Sequence, residues 1–191
     1  MDSTGAQTAR LFLGVPLTEE CRDALRGYLA GAVGGPLPGR AVAPESWHLT
    51  LRFLGDTPPG QWERLVGEVR TVGLGTAFTL RFGGLGAFPR PARASVLWVG
   101  ITEGEEPLRA LAAAVEEAAR RAGYPAEARR FSPHLTLSRI QPPRDVRAPV
   151  DTAPPFGERM PVNAVVLFRS HLGRGPARYE VVERFPLAPP A

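Results

Sequence analysis

Arg10 to Val15 is an almost unbroken apolar run, Leu11, Phe12, Leu13 and Val15, and predicts a buried strand. Thr18 before Glu19 and Glu20 has the form of a helix N-cap with acids at the positive end of the dipole, so a helix is predicted to about Val33. Gly34, Gly35, Pro36, Pro38 and Gly39 then break it. From Trp47 to Leu54 the pattern alternates. Leu49, Leu51 and Phe53 share one face, expected to pack inward, while His48, Thr50 and Arg52 share the other. Pro58 to Val72 has helical spacing at Trp62, Leu65, Val66 and Val69.

Phe78 to Phe82 and Val96 to Ile101 read as strands, and Glu105 to Ala122 is the clearest helix, stopped by Gly123. Phe131 to Ile140 is strand-like. Pro142 to Pro161 holds six prolines, too many for a regular element, and is expected to be a loop. Val162 to Arg169 and Arg178 to Phe185 are expected to form two closing strands linked through Gly173 and Gly175, with a loose tail at Pro186 to Ala191. Several neighbouring strands are joined by connections too short for parallel crossovers. The expected class is therefore α+β, with mixed or antiparallel sheets and helices packed outside.

The length, 191 residues with 43% hydrophobic and 22% charged positions, fits one domain with a sizeable core. No apolar run approaches the ~20 residues of a membrane span, so a membrane-spanning helix is not expected. Met1 to Ala9 is polar, lacks the order of a secretory signal and is expected to be disordered; with Cys21 the single cysteine, a cytoplasmic protein is expected. All 23 basic residues are arginine, a bias that GC-rich coding alone can produce, and the net charge is +4. Arginine offers a planar fork of donors suited to phosphate, and the dispersed charges favour a local phosphate site over a nucleic-acid tail.

His48-Leu49-Thr50-Leu51 recurs 86 residues later as His134-Leu135-Thr136-Leu137, each copy in a strand-like stretch after a long helix and a proline, Pro44 or Pro133. The chain therefore reads as a diverged internal duplication, a single domain of two pseudo-symmetric lobes lining a central groove. Side chains alternate along a strand, so each copy presents an imidazole beside a hydroxyl and turns its leucines to the core. A His-Thr pair on a solvated strand face is ordinary, but two such pairs brought together by a pseudo-twofold axis make an acid–base site. Imidazole, with an unperturbed pKa near 6.5, both gives and takes protons around neutrality.

The segments His48-Leu49-Thr50-Leu51-Arg52-Phe53-Leu54-Gly55 and Phe131-Ser132-Pro133-His134-Leu135-Thr136-Leu137-Ser138-Arg139 resemble the two signature motifs of the two-histidine phosphoesterase superfamily, within it the bacterial RNA 2',3'-cyclic phosphodiesterases or 2'-5' RNA ligase family. Arg10 to Leu13, Phe88-Pro89, Val96 to Trp98 and Gly175 to Tyr179 are similar too. The resemblance implies hydrolysis of a 2',3'-cyclic phosphate on RNA ends or nucleotides to a 2'-phosphate. It implies His48 as general acid and His134 as general base, with Thr50, Thr136 and Arg139 on the phosphate oxygens. The near-symmetric repeat does not itself tell the two histidines apart.

Arg139 lies five positions after His134, an odd offset that needs a β-bulge or the end of the strand to reach the site. Arg52 has the parity of His48 and is expected either to line the groove or to be solvated. No metal and no cofactor is expected, because two motif histidines, an isolated His171 and the distant Cys21 form no ligand-spaced set. His171 is expected at the surface and Cys21 as a small buried hydrophobe. Trp47, Trp98, Phe131 and Tyr179 fit either the core or a base-stacking face. A monomer is expected. The alternatives are the reverse reaction, 2'-5' joining of RNA ends, and a non-catalytic module that binds RNA phosphate.

Overall fold

The computed structural model describes residues 8–171 and 177–190. The order is β1 (Ala9–Pro16), α1 (Glu19–Ala32), β2 (Arg40–Ala41), a 3-10 turn (Pro44–Ser46), β3 (His48–Thr57), α2 (Pro59–Thr71), β4 (Phe78–Phe88), a second 3-10 turn (Pro91–Arg93), β5 (Ala94–Glu103), α3 (Glu105–Arg121), β6 (Leu135–Arg144), α4 (Arg147–Thr152), β7 (Arg159–Val162), β8 (Ala164–His171) and β9 (Arg178–Pro186). The strands form one sheet in the order β7-β4-β5-β6-β3-β1-β8-β9, with β2 on β6. Every strand pair in it is antiparallel. This is the α+β architecture expected from the short connections.

One face of the sheet carries the main core. Leu25 of α1, Leu65 of α2 and Leu108 and Val115 of α3 are fully buried against strand residues such as Leu13, Leu49, Leu97 and Leu135. The α1 N-cap is as expected: Thr18 Oγ1 accepts from the Cys21 N–H at 3.2 Å. Cys21 is buried, and burial pushes its thiol pKa up to about 12, so it is an inert hydrophobe. On the opposite face a separate small cluster gathers Phe12, Val166 and Phe168, with Tyr179 packed on it.

The two halves of the sheet meet through a single residue pair, Leu49 with Leu135, between β3 and β6. On either side lies a strand, a helix and a second strand, β1-α1-β3 and β5-α3-β6, with His48 opening β3 and His134 standing just before β6, and α1 and α3 begin 86 residues apart, the spacing of the tetrapeptides.

Several sequence expectations are corrected. The stretch Pro142 to Pro161 is not a loop. It contains the end of β6, α4 and the start of β7, because Pro149 falls in the first turn of α4 and Pro161 lies on an edge strand, the positions that tolerate a missing N–H. The segment after Pro186 is not loose either. Leu187 is buried, its N–H donates to Asn163 O at 2.9 Å, and Ala188 both donates to Gly75 O and accepts from the Ala77 N–H. Strand β1 opens at the buried Ala9, inside the span expected to be disordered; residues 1–7 lie outside those described, as do Gly173 and Gly175 of the expected link. Residues 131–134 precede β6 rather than belonging to it.

Candidate active site

The site is built outward from Leu49 and Leu135. Both leucines are buried, so the residues flanking them point to the other face of the sheet. Because the strands run antiparallel through this one pair, His48 lies on the Thr136 side of it and Thr50 on the His134 side. The four predicted polar side chains thus border the junction of the two half-sheets.

Each imidazole is locked in the same way. His48 Nδ1 lies 2.7 Å from Ser46 O, and His134 Nδ1 lies 2.7 Å from Ser132 O. A carbonyl only accepts, so Nδ1 carries the proton in both rings and Nε2 is left with its lone pair. Thr50 Oγ1 donates to His48 Nε2 at 2.9 Å. The serines stand two residues before each histidine, so the repeat at this point is Ser-x-His-Leu-Thr-Leu.

Aromatic rings back both histidines. Phe12 lies 4.7 Å from the His48 ring, with Tyr179 edge-on at 5.1 Å; Phe88 is edge-on to His134 at 5.0 Å, with Trp98 at 6.2 Å. This burial lowers the His48 pKa to about 4, against an opposing rise from the Ser46 carbonyl, with the Arg139 and His134 charges lowering it further. His134 is lowered for the same leading reason, desolvation, again opposed by its carbonyl partner and helped by Arg139. The Arg139 charge is therefore felt at both rings.

Arg139 reaches this face through the bulge its odd offset demands. Opposite β5, Leu97 pairs with Ser138 and Trp98 with Thr136, so Leu137 is an extra residue on β6. The parity flips: Leu137 and Ser138 are both buried, and Arg139 comes out exposed on the face of His134 and Thr136. The freed Leu137 carbonyl accepts from the Val42 N–H at 2.8 Å.

The same bulge occurs at Leu51 in β3, where Leu13 pairs with Arg52 and Gly14 with Thr50. Its consequence corrects both expectations for Arg52. The side chain neither lines the groove nor is solvated; it is 8% exposed and turned inward. Its Nε lies 2.6 Å from Glu116 Oε2 and its Nη1 3.2 Å from Glu127 Oε2, and it donates to the carbonyls of Phe53 and Pro125. Phe53, expected in the core, is instead 53% exposed on the groove face, with its ring 5.9 Å from Phe12. Arg52 secures the start of the segment leading to His134, and Arg109 of α3 secures its end by donating to Phe131 O at 2.6 Å.

Sequence reasoning missed Phe53, Ser46 and the aromatic backing, although the chain carried a signal for all three. Leu11-Phe12-Leu13-Gly14-Val15 and Leu97-Trp98-Val99-Gly100-Ile101 stand at the same 86-residue offset, as do Ser46 and Ser132, and Phe53 and Arg139. Gly14 is required under His48, since a Cβ there would lie 2.7 Å from Leu49 O. Of the remaining candidates, Trp47 is core, Trp98 and Tyr179 stand beside the imidazoles, and Phe131 is half-buried against the main core. His171 is at the surface, with Nε2 2.7 Å from Glu180 Oε2. Among the described residues, no three His, Cys, Asp or Glu side chains cluster as metal ligands, and no helix is long and apolar enough to cross a membrane.

The antiparallel sheet that carries the two His-x-Thr motifs superposes on the crystal structure of a phosphoesterase with a TM-score of 0.77 at 28% identity, over 95% of this chain and 99% of that one. Residues 23–174 match the model of the 2'-5' RNA ligase superfamily, and the chain belongs to that family. It is 31% identical over 186 residues to the RNA 2',3'-cyclic phosphodiesterase of Escherichia coli, covering 95% of this chain and 98% of the relative, and 37% identical over 191 residues to that of Thermus thermophilus, covering 93% and 90%. A Geobacillus stearothermophilus protein of the same name is 34% identical over 92% of this chain, which spans 56% of that longer relative. The crystal structure of E. coli LigT in apo form superposes with a TM-score of 0.80 at 29% identity, over 95% of this chain and 99% of that one; LigT has also been crystallised with 3'-AMP and with phosphate.

Proposed function

We propose that this chain hydrolyses the 2',3'-cyclic phosphate of RNA ends or nucleotides to a 2'-phosphomonoester, without a metal ion. The observation that carries the reading is the pair of identically locked imidazoles, each with Nε2 free of its own proton, one opening β3 and one just before β6, the strands that join at Leu49 and Leu135. Water attacks phosphorus as one Nε2 removes its proton; the bond from phosphorus to O3' breaks, and the other imidazole, carrying a proton on Nε2, delivers it to O3'. We assign His134 as the base and His48 as the acid. Burial keeps His48 neutral in the ligand-free protein, so its proton is acquired with the substrate, whose phosphate anion favours the imidazolium. Thr50 and Thr136 donate to the non-bridging oxygens, and Arg139 neutralises their charge.

Phe53 offers its exposed face to a nucleobase, as aromatic rings commonly do for unpaired bases. We further propose that the described residues act as one domain of two lobes, which the constant 86-residue offset supports, and that the protein works in the cytoplasm as a monomer. The test is turnover of a 2',3'-cyclic nucleotide with chelator present. The 2'-phosphate is the expected product, and His48→Ala and His134→Ala each lower the rate ~10²–10⁴-fold. Activity that needs added metal, or that survives either substitution, rejects the paired-imidazole mechanism.

A further inference from the structure

Strand β2 is two residues long, both exposed, and buries nothing. Three contacts nevertheless pin it in place. Arg40 pairs with Arg139 and Ala41 with Ser138; the Val42 N–H occupies the bulge carbonyl of Leu137. Gly39, at φ +75°, passes so close to β6 that a Cβ would collide with the Arg139 carbonyl and stand 2.8 Å from Ile140 Cα. What this anchored segment holds opposite Arg139 is Arg40.

Directly opposed residues of an antiparallel pair share a face, with Cβ atoms ~4.5–5.5 Å apart, so Arg40 stands beside Arg139 on the side of the imidazoles. Like charges so placed destabilise the sheet. Neither guanidinium meets a carboxylate among the described residues. An anion is the partner that makes this pair favourable, and arginine forks match phosphate oxygens. β2 also lies along the same edge of β6 that β3 occupies at Leu135, so Arg40 and the β3–β6 junction flank one side of β6.

We propose that Arg40 forms a second phosphate subsite, adjoining Arg139, for the phosphate on the 5' side of the nucleoside that carries the cyclic phosphate. The protein would then favour an RNA end, or a nucleotide bearing a 5'-phosphate, over a nucleoside 2',3'-cyclic phosphate with a free 5'-hydroxyl. This rests on the cyclic phosphodiesterase reading above.

The test compares kcat/KM for adenosine 2',3'-cyclic phosphate with and without a 5'-phosphate, in wild type and in Arg40→Gln. Wild type is expected to prefer the 5'-phosphorylated substrate about tenfold, the scale of one charge-assisted hydrogen bond. In Arg40→Gln the ratio falls to near one, and in Arg40→Lys it is partly recovered. A wild-type ratio of one, or a ratio unchanged in Arg40→Gln because both substrates suffer alike, overturns the subsite. A tetranucleotide ending in cyclic phosphate then identifies the source: faster than the 5'-phosphorylated nucleotide for an RNA end, no faster for a free nucleotide. Binding of adenosine 2',5'-bisphosphate against adenosine 2'-monophosphate judges Arg40 independently of turnover. Wild type that hydrolyses nothing but shows the same tenfold preference in binding, lost in Arg40→Gln, rejects the catalytic reading and keeps the subsite.

Discussion

Burying His48 as a neutral ring couples the stability of the fold to pH in a way that can be worked out in advance. Its pKa is about 4 in the folded chain, against about 6.5 for an unperturbed imidazole, the first cause being desolvation among Phe12, Phe168 and Tyr179. Between these values the unfolded chain binds the proton and the folded one does not, so stability is full above pH 6.5 and is lost as pH falls toward 4. Linkage puts the loss at about 2 kcal/mol by pH 5 and about 3 kcal/mol by pH 4, relative to pH 7. With a urea m-value of ~2 kcal/mol/M, the midpoint falls by about 1.5 M over that range. His48→Gln removes the titrating group. Urea unfolding of both proteins at half-unit steps from pH 7 to pH 4 is expected to show a slope in wild type that is larger by this amount. Parallel pH dependences in the two proteins would refute the reasoning, since no other group changes between them.

Three further outcomes follow from the site and its supports. Arg52→Met strands Glu116 and Glu127, and because those carboxylates are 27% and 41% exposed and partly recovered by water, the loss is expected at about 2 kcal/mol, below the ~3–5 of a fully buried pair. Thermal unfolding checks it, and adding Glu116→Gln recovers part of the loss. Gly86→Ala places a methyl group against the Trp98 indole that backs His134, and is expected to cost ~1–3 kcal/mol and lower kcat, whereas Gly84→Ala, with open space around it, leaves both unchanged. Equal behaviour of the two alanine variants contradicts the packing argument. The wild-type kcat/KM profile is expected to be a bell with both limbs below pH 6.5, and Arg139→Gln shifts both limbs upward by removing a cation that lowers both imidazoles, as well as slowing the reaction. Limbs that stay in place in that variant separate Arg139 from the histidines.

Much of the site was written locally in the chain. The twin His-Leu-Thr-Leu strings, the α1 cap at Thr18 and the helical spacing of α2 and α3 depend on contacts within a few residues, and periodicity reports them directly. The need for a bulge before Arg139 was also legible, because parity along a strand is a local rule. What periodicity does not report is where that rule is interrupted. The bulges at Leu51 and Leu137 are set by pairing with β1 and β5, so only the assembled sheet decided that Arg52 turns inward to Glu116 and that Phe53 turns outward. The proline-rich 142–161 stretch holds strand and helix because Pro161 falls on an edge strand and Pro149 in a first turn, positions defined by neighbours rather than by the segment. The sequence by itself thus singled out the paired histidines and threonines as the candidate site. The tertiary structure decided which of them face one another, because register between strands far apart in the chain is fixed by burial and hydrogen bonding that exist only once both halves have packed.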